Sequence, residues 1–361
     1  MSERSAATAL LAEIEASAAN LKEPIRLMEV CGTHTVTIFR AGIRQMLPKN
    51  IRLVSGPGCP VCVTPEEYID KAMEYAERGY IIATFGDMLK VPGSSGSLAA
   101  VRAKGADIRI IYSPLDSLQV AKDNPLRRVI FLAVGFETTT PTTAATLAAA
   151  RADGRDNLYF LAAPKLVPPA LVMLLSDPKV QVDGFLLPGH VAMVTGAAAF
   201  GFLPRDYGMP AVVTGFEPIA VLRSVLELVR QKTTKKAALV NEYPEAVTEG
   251  GNPAAQKMTD TVYEPCDATW RGIGVIKNSG LKIRDAFAAY DIERVAPVET
   301  KSRAGRSACR CGEVLRGIID PPQCLLFGQG CVPEHAVGPC MVSVEGVCAA
   351  WYKYGRDNVM K

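Results

Sequence analysis

The chain has 361 residues, 48% of them hydrophobic, with ten cysteines and a formal net charge of only +3. That length leaves room for two or three domains with sizeable cores. The near-neutral charge, without a strong Lys/Arg run, argues against nucleic acid as the main partner. No apolar run approaches the ~20 residues that span a bilayer, so no membrane association is expected.

From Ser5 to Leu21 the spacing is helical and carries Glu13 and Glu15, unlike a secretory signal with its basic start and unbroken apolar stretch. A cytoplasmic chain is expected, in which thiols stay reduced and ten cysteines read as ligands or redox groups rather than a disulfide framework. Cys266, isolated in sequence, reads as a small buried hydrophobe.

From Pro24 to about Lys232, short apolar runs alternate with helical patterns. Expected strands cover Ile25–Val30, Ile51–Val54, Tyr80–Thr84, Ile108–Tyr112, Val129–Val134, Leu158–Ala162, Gly184–Leu187 and Ala211–Val213. Expected helices include Val36–Leu47, Glu66–Arg78, Thr142–Ala152 and Ile219–Gln231. Continuously apolar strands between helices are the mark of parallel sheets covered on both faces, hence an α/β class. Eight strands would also suit a barrel. A break at Lys122-Asp123-Asn124-Pro125 favours two doubly wound units, residues 1–122 and 123–236, with 195–232 a candidate to cross back to the first. After Lys236 the rhythm stops, and residues 237–361 are expected to form a cysteine-rich domain that needs a metal to hold it.

Five strands lead directly into unusual segments: Cys31-Gly-Thr-His34-Thr, Ser55-Gly-Pro-Gly-Cys59-Pro-Val-Cys62-Val-Thr64, Gly135-Phe-Glu137-Thr-Thr-Thr-Pro, Pro188-Gly-His190 and Thr214-Gly-Phe-Glu217-Pro. The carboxyl ends of strands line the crevice of an open α/β sheet, so all five are expected to face one cleft. Cys31 and His34 could share a metal or act as nucleophile and base, and His34 could equally bond a loop. Cys59-Pro-Val-Cys62 reads as a redox dithiol, with metal ligation and a structural role as alternatives. Thr64 and Glu67 offer a capping box, with Pro65 at the first helical position, so a helix N-terminus would lower a thiol pKa. His190, Glu137, Glu217 and Asp87 are weaker candidates for acid–base or hydrogen-bonding roles.

Near the C-terminus lie Cys309, Cys311, Cys324, Cys331, Cys340 and Cys348. The set Cys311, Cys324, Cys331 and Cys348 fits a [4Fe-4S] cluster or a Zn(Cys)4 site. Its wide spacing lacks the paired close knuckles of zinc sites and so favours the cluster. Cys309 and Cys340 are then left over, either as a reversible disulfide pair or simply buried. No phosphate-cradling Gly-x-x-x-x-Gly-Lys-Ser/Thr motif is present, so ATP use is not supported.

Together, Cys-Gly-Thr-His-Thr (31–35), Gly-Pro-Gly-Cys-Pro-Val-Cys (56–62), Gly-Phe-Glu-Thr-Thr (135–139), Pro-Gly-His-Val (188–191), Trp-Arg-Gly-Ile-Gly (270–274), Cys-Arg-Cys-Gly-Glu (309–313) and Cys-Met-Val-Ser-Val-Glu-Gly (340–346) resemble the HypD family of [NiFe]-hydrogenase maturation factors. The resemblance spans about residues 22–355. It implies two α/β units plus a cluster domain. It also implies a scaffold that, with a HypC-type chaperone, assembles an iron carrying two cyanides and one carbon monoxide, the Fe(CN)2CO group. Cyanide would arrive as thiocyanate from a HypE-type donor, and the chain would be a monomer within that heteromeric complex. By the same resemblance Cys31 holds the iron, Cys59 and Cys62 form a nearby redox pair, and Cys311, Cys324, Cys331 and Cys348 hold the [4Fe-4S] cluster. Cys309 and Cys340 become accessory thiols. Thiol pair and cluster would together relay electrons for cyanide transfer. The competing reading is an iron–sulfur-dependent disulfide reductase; a zinc-stapled binding module is a third. Whether the chain breaks bonds itself or only holds iron stays open.

Overall fold

In a computed structural model, which describes residues 3–300 and 308–355, all eight expected strands form: β1 (Ile25–Glu29), β2 (Ile51–Ser55), β3 (Ile81–Thr84), β4 (Ile108–Ile110), β5 (Val129–Ala133), β6 (Leu158–Ala162), β7 (Gly184–Pro188) and β8 (Ala211–Thr214). Three more follow that the apolar pattern did not announce: β9 (Leu239–Asn241), β10 (Tyr263–Trp270) and β11 (Gly274–Ile283). One parallel sheet has the order β2-β1-β7-β8-β9 and the other β4-β3-β5-β6, while β10 and β11 form an antiparallel hairpin.

The strand grouping corrects the expected break. β3 and β4, which precede residue 122, pair in the second sheet with β5 and β6. The Lys-Asp-Asn-Pro stretch is the end of a crossover: Asp123 closes the Asp116–Asp123 helix. The buried Asn157 amide then donates to the carbonyls of Ala121, Asn124 and Arg127, tying the turn to β6. The chain therefore builds β1 and β2, inserts the whole second sheet, and returns at β7 beside β1. The return includes the 195–232 stretch but begins earlier, and it extends to β9.

Alternation along each strand sends side chains to two cores. In the first sheet Leu27, Leu53, Leu186 and Val212 pack under the N-terminal helix (Glu3–Ala18) and the Pro218–Thr234 helix. Met28, Val54, Leu187 and Val213 face the opposite core, which also takes Cys59, Cys62, Trp270, Cys311, Val314 and Val347. The second sheet is covered by the Glu66–Glu77 helix on one face and by the Thr140–Ala152 helix with the hairpin on the other.

Residues 237–300 thus do not form part of a separate body: β9 extends the first sheet and the hairpin docks on the second, where Leu166 N donates to Ser279 O. Residues 308–355 build no sheet. They contribute two short helices, Cys311–Leu315 and Val347–Tyr354, and lay their apolar side chains on the shared core. Among the described residues no helix is long and apolar enough to cross a membrane.

Trp270 anchors the hairpin. It is fully buried, its Nε1 donates to Ser279 Oγ at 2.8 Å, and its ring stacks 5.9 Å from Phe136. A Trp270→Ala change should cost about 4 kcal/mol, the cavity term dominating. Urea titration checks this, and near-wild-type stability would show that the hairpin is not held through its indole.

Candidate functional site

In each sheet the strand order reverses at one point, β1/β7 in the first and β3/β5 in the second, and there a crevice opens at the carboxyl ends. Cys31 follows β1 and is the N-cap residue of the Gly32–Arg40 helix, its own backbone extended at φ −147° and ψ 128°. The expected Val36–Leu47 helix starts earlier and breaks at Gly42, whose φ of 66° suits glycine.

The loop carrying Cys59 and Cys62 lies against Cys31, backbone on backbone. Gly32 N donates to Gly58 O at 3.1 Å, and a Cβ on Gly58 would sit 2.5 Å from the Cys31 Cα. On the other side Glu345 closes in: its Oε1 accepts from Thr33 Oγ1 at 2.9 Å, and a Cβ on Gly32 would fall 2.5 Å from its Cβ. Burial pushes the Cys31 thiol up to about 11, and the Glu345 carboxylate adds to the rise. The thiol is therefore protonated at neutral pH.

His34 is completely buried. Its Nε2 faces the Thr214 and Gly215 carbonyls at 3.2 and 3.0 Å, so that nitrogen carries the hydrogen. Burial lowers its pKa to about 4 and keeps the ring neutral. His34 and His190 sandwich Phe216, with centroids 4.9 and 3.7 Å away. The ends of β1, β2, β7 and β8 thus meet, as expected of four of the five loops.

The fifth loop joins them through Phe136, which packs in one core with Cys59, Cys62 and Trp270. Glu137, at the end of β5, accepts from Val167 N at 2.8 Å through Oε1, while Oε2 is buried without a partner. Burial raises it to about 7. The folded chain therefore holds this proton where the unfolded chain releases it, so stability falls as pH rises from about 4.5 to 7. Wild type should lose about 2 kcal/mol between pH 5 and 8 through this group, and Glu137→Gln should flatten that slope in denaturant titrations. Glu217 is exposed and its side chain caps nothing. Asp87, after β3, accepts from Ser343 Oγ at 2.8 Å, so the 343–345 segment bridges the switch points of both sheets.

Cys59 and Cys62 are joined as a disulfide and are 2% and 0% exposed. The expected capping box does not form: Pro65 is itself the N-cap, Thr64 Oγ1 donates back to Pro60 O, and Glu67 pairs with Lys71. The Cys62 sulfur is 4.0 Å from Pro339 O, the residue before Cys340. This contact leads to the C-terminal thiols. All six, Cys309, Cys311, Cys324, Cys331, Cys340 and Cys348, line one pocket of about 20 Å³. Burial first, then the neighbouring sulfurs, push Cys340 and Cys348 well above the usual thiol range. A hydrogen bond with Cys311 and then burial do the same for Cys309. Among the described residues no three His, Cys, Asp or Glu side chains converge on a single ion. Soft donors gathered around one pocket suit a soft metal or an iron–sulfur group, and any four of the six could supply its ligands.

Arg271, quoted in a motif but given no role from sequence, ties these parts together. It is buried. Its backbone N donates to Val63 O, and its guanidinium donates to Pro92 O at 2.6 Å and to Glu66 Oε1 at 2.7 Å. Its charge also reaches Cys309 and Cys340. A buried arginine must be paired, and in the sequence its only signal was its place in the Trp-Arg-Gly-Ile-Gly motif.

Two parallel-sheet units, with cysteines gathered beside the carboxyl end of the first, define an α/β protein with clustered thiols. A family model described as "Hydrogenase formation hypA family" (HypD) matches residues 5–355. The chain is 47% identical to the hydrogenase maturation factor HypD of Azotobacter vinelandii over 95% of this chain and 93% of that one. It is 46% identical to that of Escherichia coli (93% and 91% covered) and 45% identical to that of Cupriavidus necator (91% and 89% covered). The chain belongs to the HypD family of hydrogenase maturation factors.

Proposed function

We propose that this chain is the platform on which, with a HypC-type chaperone, an iron atom receives two cyanides and one carbon monoxide. Cys31 is the thiolate that grips the iron. The observation that supports this reading is the unbroken run of contacts from Cys31 through Gly58 to the Cys59–Cys62 pair and on past Pro339 to the six-thiol pocket.

A thiocyanate brought by a HypE-type donor releases cyanide when its S–C bond takes up two electrons and leaves a thiolate. Cys59 and Cys62, closing from dithiol to disulfide, supply two electrons and two protons. Cys311, Cys324, Cys331 and Cys348 would hold a [4Fe-4S] cluster, which when bound stores and passes single electrons. Cys309 and Cys340 stand beside it as accessory thiols, and Arg271 fixes the dithiol loop against them. His34, neutral and doubly bonded, orients the Cys31 helix rather than acting as a base. The working form is a heteromeric complex in the cytoplasm. A disulfide reductase fits less well, because the buried Cys59–Cys62 bond is closed to a protein disulfide.

Infrared spectroscopy of the oxygen-free complex with the HypC-type partner tests the reading. Iron-bound cyanide and carbonyl bands are expected. A spectrum without them, from material that turns over disulfides, would replace the scaffold by the reductase.

A further inference from the structure

Cys266 is the cysteine that the proposed function leaves without a role. It pairs with Gly280 across the hairpin, and Gly280 pairs in turn with Lys165. In antiparallel pairs opposed side chains share a face, so Lys165 and Cys266 flank the gap left by a residue with no side chain. The Cys266 sulfur leans over that gap, 3.4 Å from where a Gly280 Cβ would be. Both residues line a pocket of about 290 Å³ together with Pro65, Tyr68, Leu281 and Glu293.

Lys165 is 5% exposed, and its amine has no hydrogen-bond or ion-pair partner among the described residues. Lys71, the other cation there, is committed to Glu67 and Glu293 at 2.9 and 2.7 Å. A buried, unpartnered amine reduces its cost by shedding its proton. Burial accordingly lowers Lys165 to about 8, leaving about a tenth of it neutral and nucleophilic at pH 7. Glu67, Asp267 and Glu293 line the same pocket and disfavour an anionic ligand.

We propose that Lys165 and Cys266 form an acyl-acceptor site for small uncharged thioesters. The Cys266 thiol exchanges with the thioester, forming an acyl–sulfur bond and releasing the donor's thiol. The Lys165 amine then attacks the acyl carbon; the C–S bond breaks, the amide forms, and the amine's proton returns to Cys266. The net change is one amide gained and one thioester consumed, with no oxidant or reductant. Pro65, Glu67 and Tyr68 of the same pocket belong to the start of the dithiol helix, so the acyl group would rest against it.

The test is anaerobic incubation of the full chain with S-acetyl-N-acetylcysteamine, followed by peptide mass mapping. Lys165 should acetylate at least about tenfold faster than exposed Lys277, the gain that proximity supplies. Cys266→Ala should bring Lys165 down to the Lys277 rate, and Lys165→Gln should trap a hydroxylamine-labile acetyl group on Cys266. Equal rates at Lys165 and Lys277 in wild type would overturn the proposal without any variant. So would an unchanged Lys165 rate in a folded Cys266→Ala chain.

Discussion

A Cys31→Ala chain, purified with its partner under exclusion of oxygen, should lose the infrared bands of iron-bound cyanide and carbon monoxide entirely while melting close to wild type. The fold has little stake in the sulfur. Cys31 is a half-buried N-cap residue whose side chain caps nothing, and its backbone contacts survive the change. The metal has a large stake. Low-spin iron with strong-field ligands wants a soft donor, and neither Ala nor the hard hydroxyl of Cys31→Ser supplies one. The thiol begins protonated, held near 11 by burial, so loading should also release a proton to the medium. Bands that persist in Cys31→Ala would remove this residue as the anchor.

Gly58→Ala should be strongly destabilising for a single added methyl group. The added Cβ would land on the backbone of Val30 and Cys31, which cannot swing aside as a side chain can. Forced overpacking of this kind costs about 3 kcal/mol. That corresponds to a melting temperature lower by roughly 4 °C in a chain of this size. Relief of the clash would part the dithiol loop from Cys31, so the iron bands should weaken as well. Gly250→Ala, whose Cβ meets nothing within 4 Å, is the control and should be nearly silent. Equal melting temperatures for the two variants would show that the loop is free to move.

The strands were legible because both faces of each are buried, so Val129–Ala133 and Leu158–Ala162 read as unbroken apolar runs. Their grouping was not legible. Which strand pairs with which depends on contacts between residues over a hundred positions apart, such as Leu27 with Gly184, and no local pattern encodes them. The hairpin was missed because β10 has one solvent-facing side and reads as polar, from Glu264 to Thr269. At the site, Cys31, Cys59, Cys62 and the late cysteines stood out by chemistry alone. Arg271 and Glu345 did not, since their roles arise from partners distant in sequence, and Thr64 was misread because Pro60 O competes for its hydroxyl.

The clasp between Thr33 and Glu345 joins residues 312 positions apart. The Val347–Tyr354 helix strengthens it by setting Trp351 edge-on to Phe39, with Arg44 over both rings. During synthesis at ~5–20 residues per second, the segment bearing Cys31 leaves the ribosome roughly 15–60 s before Glu345 is made. For that interval the thiol lacks one wall of its surroundings. A nascent chain therefore cannot present the complete surroundings of Cys31, and only a fully translated molecule could load the proposed iron.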